Sequence, residues 1–312
     1  MILCCGEALI DMIERPGPDD GKGFDAHVGG AVFNTAIALG RLRAPAGFLS
    51  GLSQDFFGSM LRQALADSHV DTRYAILSDR PTTLAFVRLT EGQATYTFYD
   101  EGTAGRMLDP DSLPELAEDV TACYFGGISL ISEPCADFYA ALAKHEAARR
   151  VIMLDPNIRP SFIRDLDRYR ERLDAMIAVS DIVKISDEDL HWIVPGPASA
   201  LEKARGVLDK GPRLVVLTRG SDGATALFAD GQEVHAPATK VEVVDTVGAG
   251  DTFNAGFLAR LAELGALGKE RLRDLPPDTV RSALAHGAAV AGVTVSRAGA
   301  NPPWSHELPK AG

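Results

Sequence analysis

Short apolar, β-rich runs alternate along this chain with longer stretches whose apolar positions recur at helical spacing. Residues 1–5, 48–52, 122–125, 151–154, 181–185 and 214–218 read as strands. Residues 31–42, 56–68, 136–148 and 198–208 read as helices between them. This alternation predicts an α/β fold with a mainly parallel sheet covered by helices on both faces. Two stretches break it. Residues 10–13 and 23–28 are strand-like and separated by the Pro/Gly/Asp segment 16–21, while 83–89 and 94–99 form a hairpin pattern about Glu91-Gly92. Four strands without intervening helices cannot enter the parallel sheet by right-handed crossovers. They predict a separate small antiparallel sheet, suited to cover a site or to form a dimer surface. No internal repeat or long linker is visible, and 301–312 is Pro-rich and expected to be irregular.

Composition then narrows the classes. The 312 residues are 46% hydrophobic and 24% charged, which fits an ordinary globular protein able to bury roughly three quarters of its unfolded surface. The net charge of −12 disfavours a nucleic-acid partner, and the densest basic stretch, 164–172, is interrupted by acids. Cys4, Cys5, Cys123 and Cys135 include no C-x-x-C pair and are expected to be reduced and buried. The N-terminal apolar stretch lacks a basic flank and is broken by Glu7 and Asp11, and no apolar run reaches the ~18 residues of a membrane span. A cytoplasmic protein with no membrane partner is the expectation.

The chemistry concentrates in 243–257. An apolar strand end is expected at Val243-Val244, followed by Gly248-Ala249-Gly250 and then a helix pattern carried by Phe253, Phe257, Leu258 and Leu261. Glycines at a helix start let backbone N–H groups point at an anion, and the helix dipole adds positive potential. Asp251 falls in the first turn, beside any phosphate the loop holds. A carboxylate next to an anion hole suits phosphoryl transfer to a hydroxyl, because the acid orients and deprotonates the acceptor while amides hold the transferring charge. Taken alone, Asp251 reads more commonly as an ordinary N-terminal helix acid. A dinucleotide fingerprint is disfavoured because position 253 is Phe where that pattern requires Gly, and no G-x-x-x-x-G-K-[ST] is present.

Five segments share one resemblance. Asp245-Thr-Val-Gly-Ala-Gly-Asp251-Thr-Phe resembles the C-terminal motif of the ribokinase-like (PfkB-type) carbohydrate kinases. Val28-Gly29-Gly30-Ala31-Val32-Phe33-Asn34 is similar to that family's sugar-binding motif. Gly6-Glu7-Ala8-Leu9-Ile10-Asp11, Asp155-Pro156-Asn157-Ile158-Arg159 and Leu217-Thr218-Arg219-Gly220-Ser221-Asp222-Gly223 are similar to further family segments, in the family's order and across nearly the whole chain. The resemblance implies a three-layer ribokinase-like core plus a small antiparallel β lid. One sugar-kinase unit would then span 1–312, with the core at about 1–10, 29–80 and 103–312 and the lid at about 11–28 and 81–102.

It also implies roles. Asp251 would be the base on a sugar's primary hydroxyl, and backbone amides of Val247, Gly248, Ala249 and Gly250 the anion hole. Asp11, Gly29, Gly30 and Asn34 would hold sugar hydroxyls, and Arg159 the transferring phosphate. A carboxylate and an amide suit vicinal hydroxyls, and a guanidinium fork suits phosphate. In isolation, turn formation or helix capping would be the favoured reading of Asp11 and Asn34, and a surface ion pair would explain Arg159. Lys184, Thr218, Gly220 and Gly223 would line the triphosphate and ribose of ATP, with Asn254, Ala285 and His286 near the adenine. His286 lies among small residues, where a packed structural histidine is as good a reading. The family's metal-linked N-x-x-E stretch is here Ser186-Asp187-Glu188-Asp189, with Ser186 and Asp189 replacing the Asn and Glu, so Asp189 would hold Mg2+ through water. Asp245, Val247, Thr294, Arg297 and Gly299 match the positions that bind a monovalent cation, K+, in relatives; Pro303 stands where some relatives offer a hydroxyl.

The hairpin residues Pro81–Val87 and Tyr96–Tyr99, with the 6–11 opening, resemble the fructokinases of the family, which implies phosphorylation of fructose to fructose 6-phosphate. Phe98 would stack on the sugar, with Arg88 or Tyr96 nearby; core packing is the other reading of Phe98. Arg88, Arg106 and Arg159 could instead serve the carboxylate of 2-keto-3-deoxygluconate, and a nucleoside acceptor would need an aromatic wall not seen here. A non-catalytic binding protein on the same fold is disfavoured by the intact Asp251 loop. Exposed edges of the lid predict a homodimer through it.

Overall fold

A computed structural model of the protein describes residues 1–16, 21–90 and 93–308, with the side chains of 88–90 and 93–96 outside the description. Its strands are β1 (Ile2–Cys5), β2 (Leu9–Pro16), β3 (Lys22–Gly29), β4 (Ala46–Leu49), β5 (Gly51–Ser53), β6 (Ile76–Ser78), β7 (Leu84–Thr90), β8 (Gln93–Tyr99), β9 (Ala122–Gly126), β10 (Val151–Asp155), β11 (Ile182–Ser186), β12 (Leu214–Thr218), β13 (Ala224–Phe228) and β14 (Glu233–Ala236). The helices are α1 (Ala31–Arg41), α2 (Phe56–Asp67), α3 (Cys135–Glu146), α4 (Leu166–Val179), α5 (Asp187–Ile193), α6 (Ala200–Leu208), α7 (Ala249–Glu263) and α8 (Pro277–Val295).

The large sheet runs β14-β13-β12-β11-β10-β9-β1-β4. From β4 to β12 all neighbours are parallel, and β13 and β14 finish it antiparallel. The parallel strands are nearly all buried, which is why they read as unbroken apolar runs. Alternate residues feed two separate cores. Ile2, Cys4, Tyr124 and Met153 join Phe33 of α1, Phe257 of α7 and Val280 of α8 on one face. Leu3, Cys5, Phe125 and Ile152 join Tyr139 of α3, Leu173 of α4, Leu190 of α5 and Val207 of α6 on the other. Three layers result. All four cysteines are free and buried.

The structure redraws four local expectations. The run 48–52 splits into β4 and β5: a Cβ on Gly51 would lie 1.9 Å from the Ala104 carbonyl, and the chain leaves the large sheet there to pair β5 with β6. No strand precedes the glycine loop. Val243 and Val244 are exposed, and the amides of Val244 and Asp245 bond the Val295 carbonyl at the end of α8. The basic stretch 164–172 is largely helix α4, whose exposed Arg168 and buried Arg172 both pair with Asp137, at 2.7 and 2.9 Å. The small sheet, order β3-β2-β7-β8, is mixed: its outer pairs are antiparallel, but the central β2-β7 pair is parallel. β2 and β7 are not joined by a turn, so neither must reverse against the other.

Candidate active site

The carboxyl ends of the parallel strands bring the expected residues together, at the usual ligand position of open α/β sheets. β10 ends there in Asp155, β11 carries Lys184, β12 ends in Thr218, and α7 begins there after Gly248. Gly248 is left-handed (φ 76°), which turns the chain into the helix. The first-turn amides of a helix lack intrahelical acceptors. Two of the four expected hole donors are nonetheless engaged: Val247 N–H donates to Asp245 Oδ1 (3.0 Å) and Ala249 N–H to the Thr246 carbonyl (3.2 Å). Among the described residues, this leaves the amides of Gly248, Gly250 and Asp251 available to an anion.

Asp251 is buried, and burial pushes its carboxyl up to about 7. A hydrogen bond from Asn34 opposes the rise, Asp155 adds to it, and the nearby Lys184 ammonium draws it back. Asn34 Nδ2 donates to Asp251 Oδ2 at 2.9 Å, and Thr35 Oγ1 donates to the Asp251 carbonyl at 3.1 Å. Residues 217 apart in sequence thus bind the expected sugar loop to the expected base. Lys184 is buried, donates to Asp155 Oδ2 at 3.0 Å, and its Nζ is 3.3 Å from where a Cβ on Gly250 would stand. A cation therefore lies directly under the glycine loop.

On the sugar side, Asp11 is half-buried on β2, and burial raises its carboxyl to about 6, with His27 pulling against that rise. Its Oδ2 lies 2.2 Å from a Cβ placed on Gly29, so a side chain there would displace the Asp11 carboxylate. Gly30 has φ 111° and its carbonyl accepts the Asn34 amide at 2.8 Å. Arg159 is exposed, its guanidinium donating to the Ile158 carbonyl at 3.0 Å. The Phe98 ring meets Phe162 edge to face, with centroids 4.5 Å apart. The side chains of Arg88 and Tyr96 lie outside the described residues. Arg106 is engaged, donating to Asp100 (3.1 Å) and to the Glu133 carbonyl (2.9 Å). Thr218, Gly220 and Gly223 form the turn after β12 at the same end of the sheet, with Gly220 and Gly223 at positive φ.

The three residues expected near the adenine lie at different depths. Asn254 is fully buried beneath the loop, where its amide donates to Asp155 Oδ2 (2.6 Å) and the Tyr124 hydroxyl (2.9 Å). Its position four residues along α7 from Gly250 turns it into the core. His286 sits near Arg260 and Glu263 and lines a cleft with Met1, Ile2 and Pro45, at the amino ends of the strands. Its backbone meets α7 at Gly256, where an added Cβ would lie 3.1 Å from the His286 carbonyl, five residues along the helix from Asp251. Close contact between α7 and α8 at Gly256 and Gly287 sets this direction. Ala285 is exposed on α8.

Asp189 is also more engaged than its sequence position suggests. It is buried, its Oδ1 accepts the Ile158 amide at 2.9 Å, and burial followed by repulsion from Asp155 raises its carboxyl. The residues assigned to a monovalent cation do gather. Asp245 accepts the amides of Val247 and Gly299 (2.8 Å), while the carbonyls of Thr294 and Gly299 accept the amides of Arg297 and Asn301. Two further acids serve the site. Glu7, buried, accepts the amides of Ala31 (2.9 Å) and Ser129 (3.3 Å) under the Gly30 turn, and Asp155 links Lys184 to Asn254. Both belong to motifs recognised in the sequence, but their contacts are long-range and leave no local signal.

This chain belongs to the pfkB family of carbohydrate kinases, whose pattern it matches over residues 1–307. It is 51% identical over 283 residues to a fructokinase of Rhizobium leguminosarum bv. trifolii, covering 90% of this chain and 86% of the relative. It is 33% identical to a fructokinase of Klebsiella pneumoniae, covering 98% and 97%. The fold superposes on a crystal structure of fructokinase with bound ATP from Xylella fastidiosa at a TM-score of 0.86, with 27% identity over 96% of this chain and 93% of that one.

Proposed function

We propose that the protein transfers the γ-phosphoryl group of ATP to the primary hydroxyl of fructose, giving fructose 6-phosphate and ADP. The observation that carries this is the buried Asp251 carboxyl, hydrogen-bonded to Asn34 of the sugar loop and placed beside the open amides of Gly248 and Gly250. Asp251 takes the hydroxyl proton as the sugar oxygen forms its bond to the γ-phosphorus and the bond to ADP breaks. A carboxyl held near 7 is matched to that task at neutral pH. The amides, Lys184 and Arg159 meet the negative charge of the transferring group. Asp11 and Asn34 hold the sugar hydroxyls, and Thr218, Gly220 and Gly223 line the nucleotide. The fructokinase identities support fructose over a sugar acid, and the engagement of Arg106 removes one cation a carboxylate would need.

A divalent cation fits beside this set. Asp155 Oδ1 is buried without a hydrogen-bond partner, and Asp189 stands close enough to raise its own proton affinity. Mg2+ asks for one or two carboxylates plus phosphate oxygens and water, so Asp155 and Asp189 would hold it, Asp189 through water, and it would neutralise phosphate charge. The Asp245 junction is the proposed place for K+. We place the enzyme in the cytoplasm, where its free cysteines stay reduced.

A homodimer through the small sheet is supported by the face opposite Asp11. There Phe86 meets Phe24 and Tyr99 at 5.1 and 5.5 Å, and Phe24 and Tyr99 are exposed. The function is tested by coupled ADP release with MgATP across fructose, ribose, glucose, tagatose, 2-keto-3-deoxygluconate and adenosine. Turnover is expected with fructose, and a preference for the keto acid would overturn the acceptor assignment.

A further inference from the structure

Phe162 ends the short 3-10 turn Pro160–Phe162, three residues beyond Arg159. The turn is closed twice: Phe162 N–H donates to the Arg159 carbonyl at 3.0 Å, and Ile163 N–H to that of Pro160 at 3.2 Å. Pro160 restricts the backbone further. At its start the turn is anchored, because the preceding residue, Ile158, donates its amide to the buried Asp189. Arg159 and Phe162 are therefore parts of one stiff unit that projects from the core.

The other partner of the Phe162 ring belongs to the small sheet. Phe98 on β8 lies directly opposite Ala85 on β7, and Ala85 lies directly opposite Asp11 on β2. Residues facing each other across adjacent strands share one side of a sheet. The side of the sheet that presents Asp11 thus also presents Phe98, and Phe98 reaches the core at Phe162, at 4.5 Å with the rings inclined by 70°. Neither ring is fully buried. An edge-to-face contact between half-exposed rings is weak enough to break and re-form as the sheet moves, yet geometrically specific.

We propose that Phe162 is a positioning residue for phosphoryl transfer: through Phe98 it ties the sugar-holding sheet to the turn that carries Arg159. This rests on the kinase reading above and extends it. When the sugar on Asp11 draws the sheet inward, Phe98 seats on Phe162, Arg159 is fixed over the transferring phosphate, and the ring pair closes that side of the site to water. Sugar occupancy and the phosphate clamp are then set together, so the enzyme favours the sugar hydroxyl over water as acceptor.

The test is a double-mutant cycle with Phe98→Ala, Phe162→Ala and the double variant, plus Phe162→Leu. Steady-state constants, ADP released per sugar phosphate formed, and Tm are read for each. The expected result is a rise of roughly 3- to 10-fold in KM for fructose for each alanine variant, in line with the loss of one aromatic pair and the groups it orders. KM for ATP should stay within about twofold, the ADP-to-product ratio should exceed one, and the double variant should be no worse than the worse single. Multiplicative effects, or a lowered Tm with unchanged KM and ratio, would overturn the proposal. Should Phe162→Ala not fold, Phe162→Leu decides: a raised fructose KM at parental Tm supports the coupling and an unchanged KM refutes it. A parent protein silent on fructose but active on another sugar of the panel would refute the fructose assignment alone, and the same cycle would then be read on that sugar.

Discussion

Asp251→Asn should yield a protein more stable than its parent at pH 8 and nearly inert as a kinase. Burial carries the Asp251 carboxyl from its ordinary 3.8 to about 7, so the native state binds this proton more tightly than the unfolded chain does. Stability contributed by this group is therefore highest at low pH, falls as pH rises from about 4 to about 7, and stays low above that. The full displacement corresponds to ~4 kcal/mol carried by the ionised form, an upper bound for the gain on neutralising it. At pH 5 less than half of that cost is present. Asparagine keeps an oxygen for the Asn34 amide (2.9 Å in the parent) and removes the repulsion from Asp155. A chain of 312 residues unfolds with ~0.65 kcal/mol per kelvin of entropy, so Tm should rise by at most ~6 °C at pH 8 and ~2 °C at pH 5. Calorimetry on both proteins at both pH values reads this directly. Turnover should fall by about 10²- to 10⁴-fold with the general base gone, while ATP still stabilises the fold. Equal Tm differences at pH 5 and pH 8, or turnover near the parent's, would refute the reasoning.

Three further outcomes are expected. In the parent, kcat/KM for sugar should rise with an apparent pKa of about 7 as Asp251 ionises, and KM for the sugar should worsen below about pH 6 as Asp11 protonates; a flat profile from pH 5 to 8 would contradict both assignments. Lys184→Met leaves the buried Asp155 without its ammonium, which should cost about 3–5 kcal/mol in denaturant unfolding and move the acid limb of the rate profile to higher pH, since Lys184 holds the Asp251 carboxyl down. Gly248→Ala must adopt φ near 76° and put a methyl 2.8 Å from the Ala300 Cβ, so at least ~1–2 kcal/mol of stability and most of kcat should be lost while sugar KM changes little.

Much of the fold was legible because burial on both faces writes itself into a strand. Strands β1, β4, β9, β10 and β12 are almost wholly apolar runs. Helix α4 was hidden for the converse reason: its buried stripe includes Arg172, whose charge is met by Asp137 and Glu133, far away in sequence. The split of 48–52 depended on a carbonyl at Ala104, and the exposure of Val243 and Val244 on a carbonyl at Val295, neither visible in a local window.

The sequence by itself determined the layered α/β class, the glycine turn before α7 and the place of Asp251 in the first helical turn, because glycine conformation and helix-end chemistry are local properties. The tertiary structure alone decided which loop amides remain open, that Asn34 holds the Asp251 carboxyl, and that Lys184, Asp155 and Asn254 form one buried network beneath it. It also decided that His286 belongs to a cleft at the opposite ends of the strands and that Phe98 meets Phe162. The physical reason is common to all of these. The ionisation, orientation and accessibility of a side chain are set by neighbours that approach through space, and a chain read in order shows only neighbours along its length.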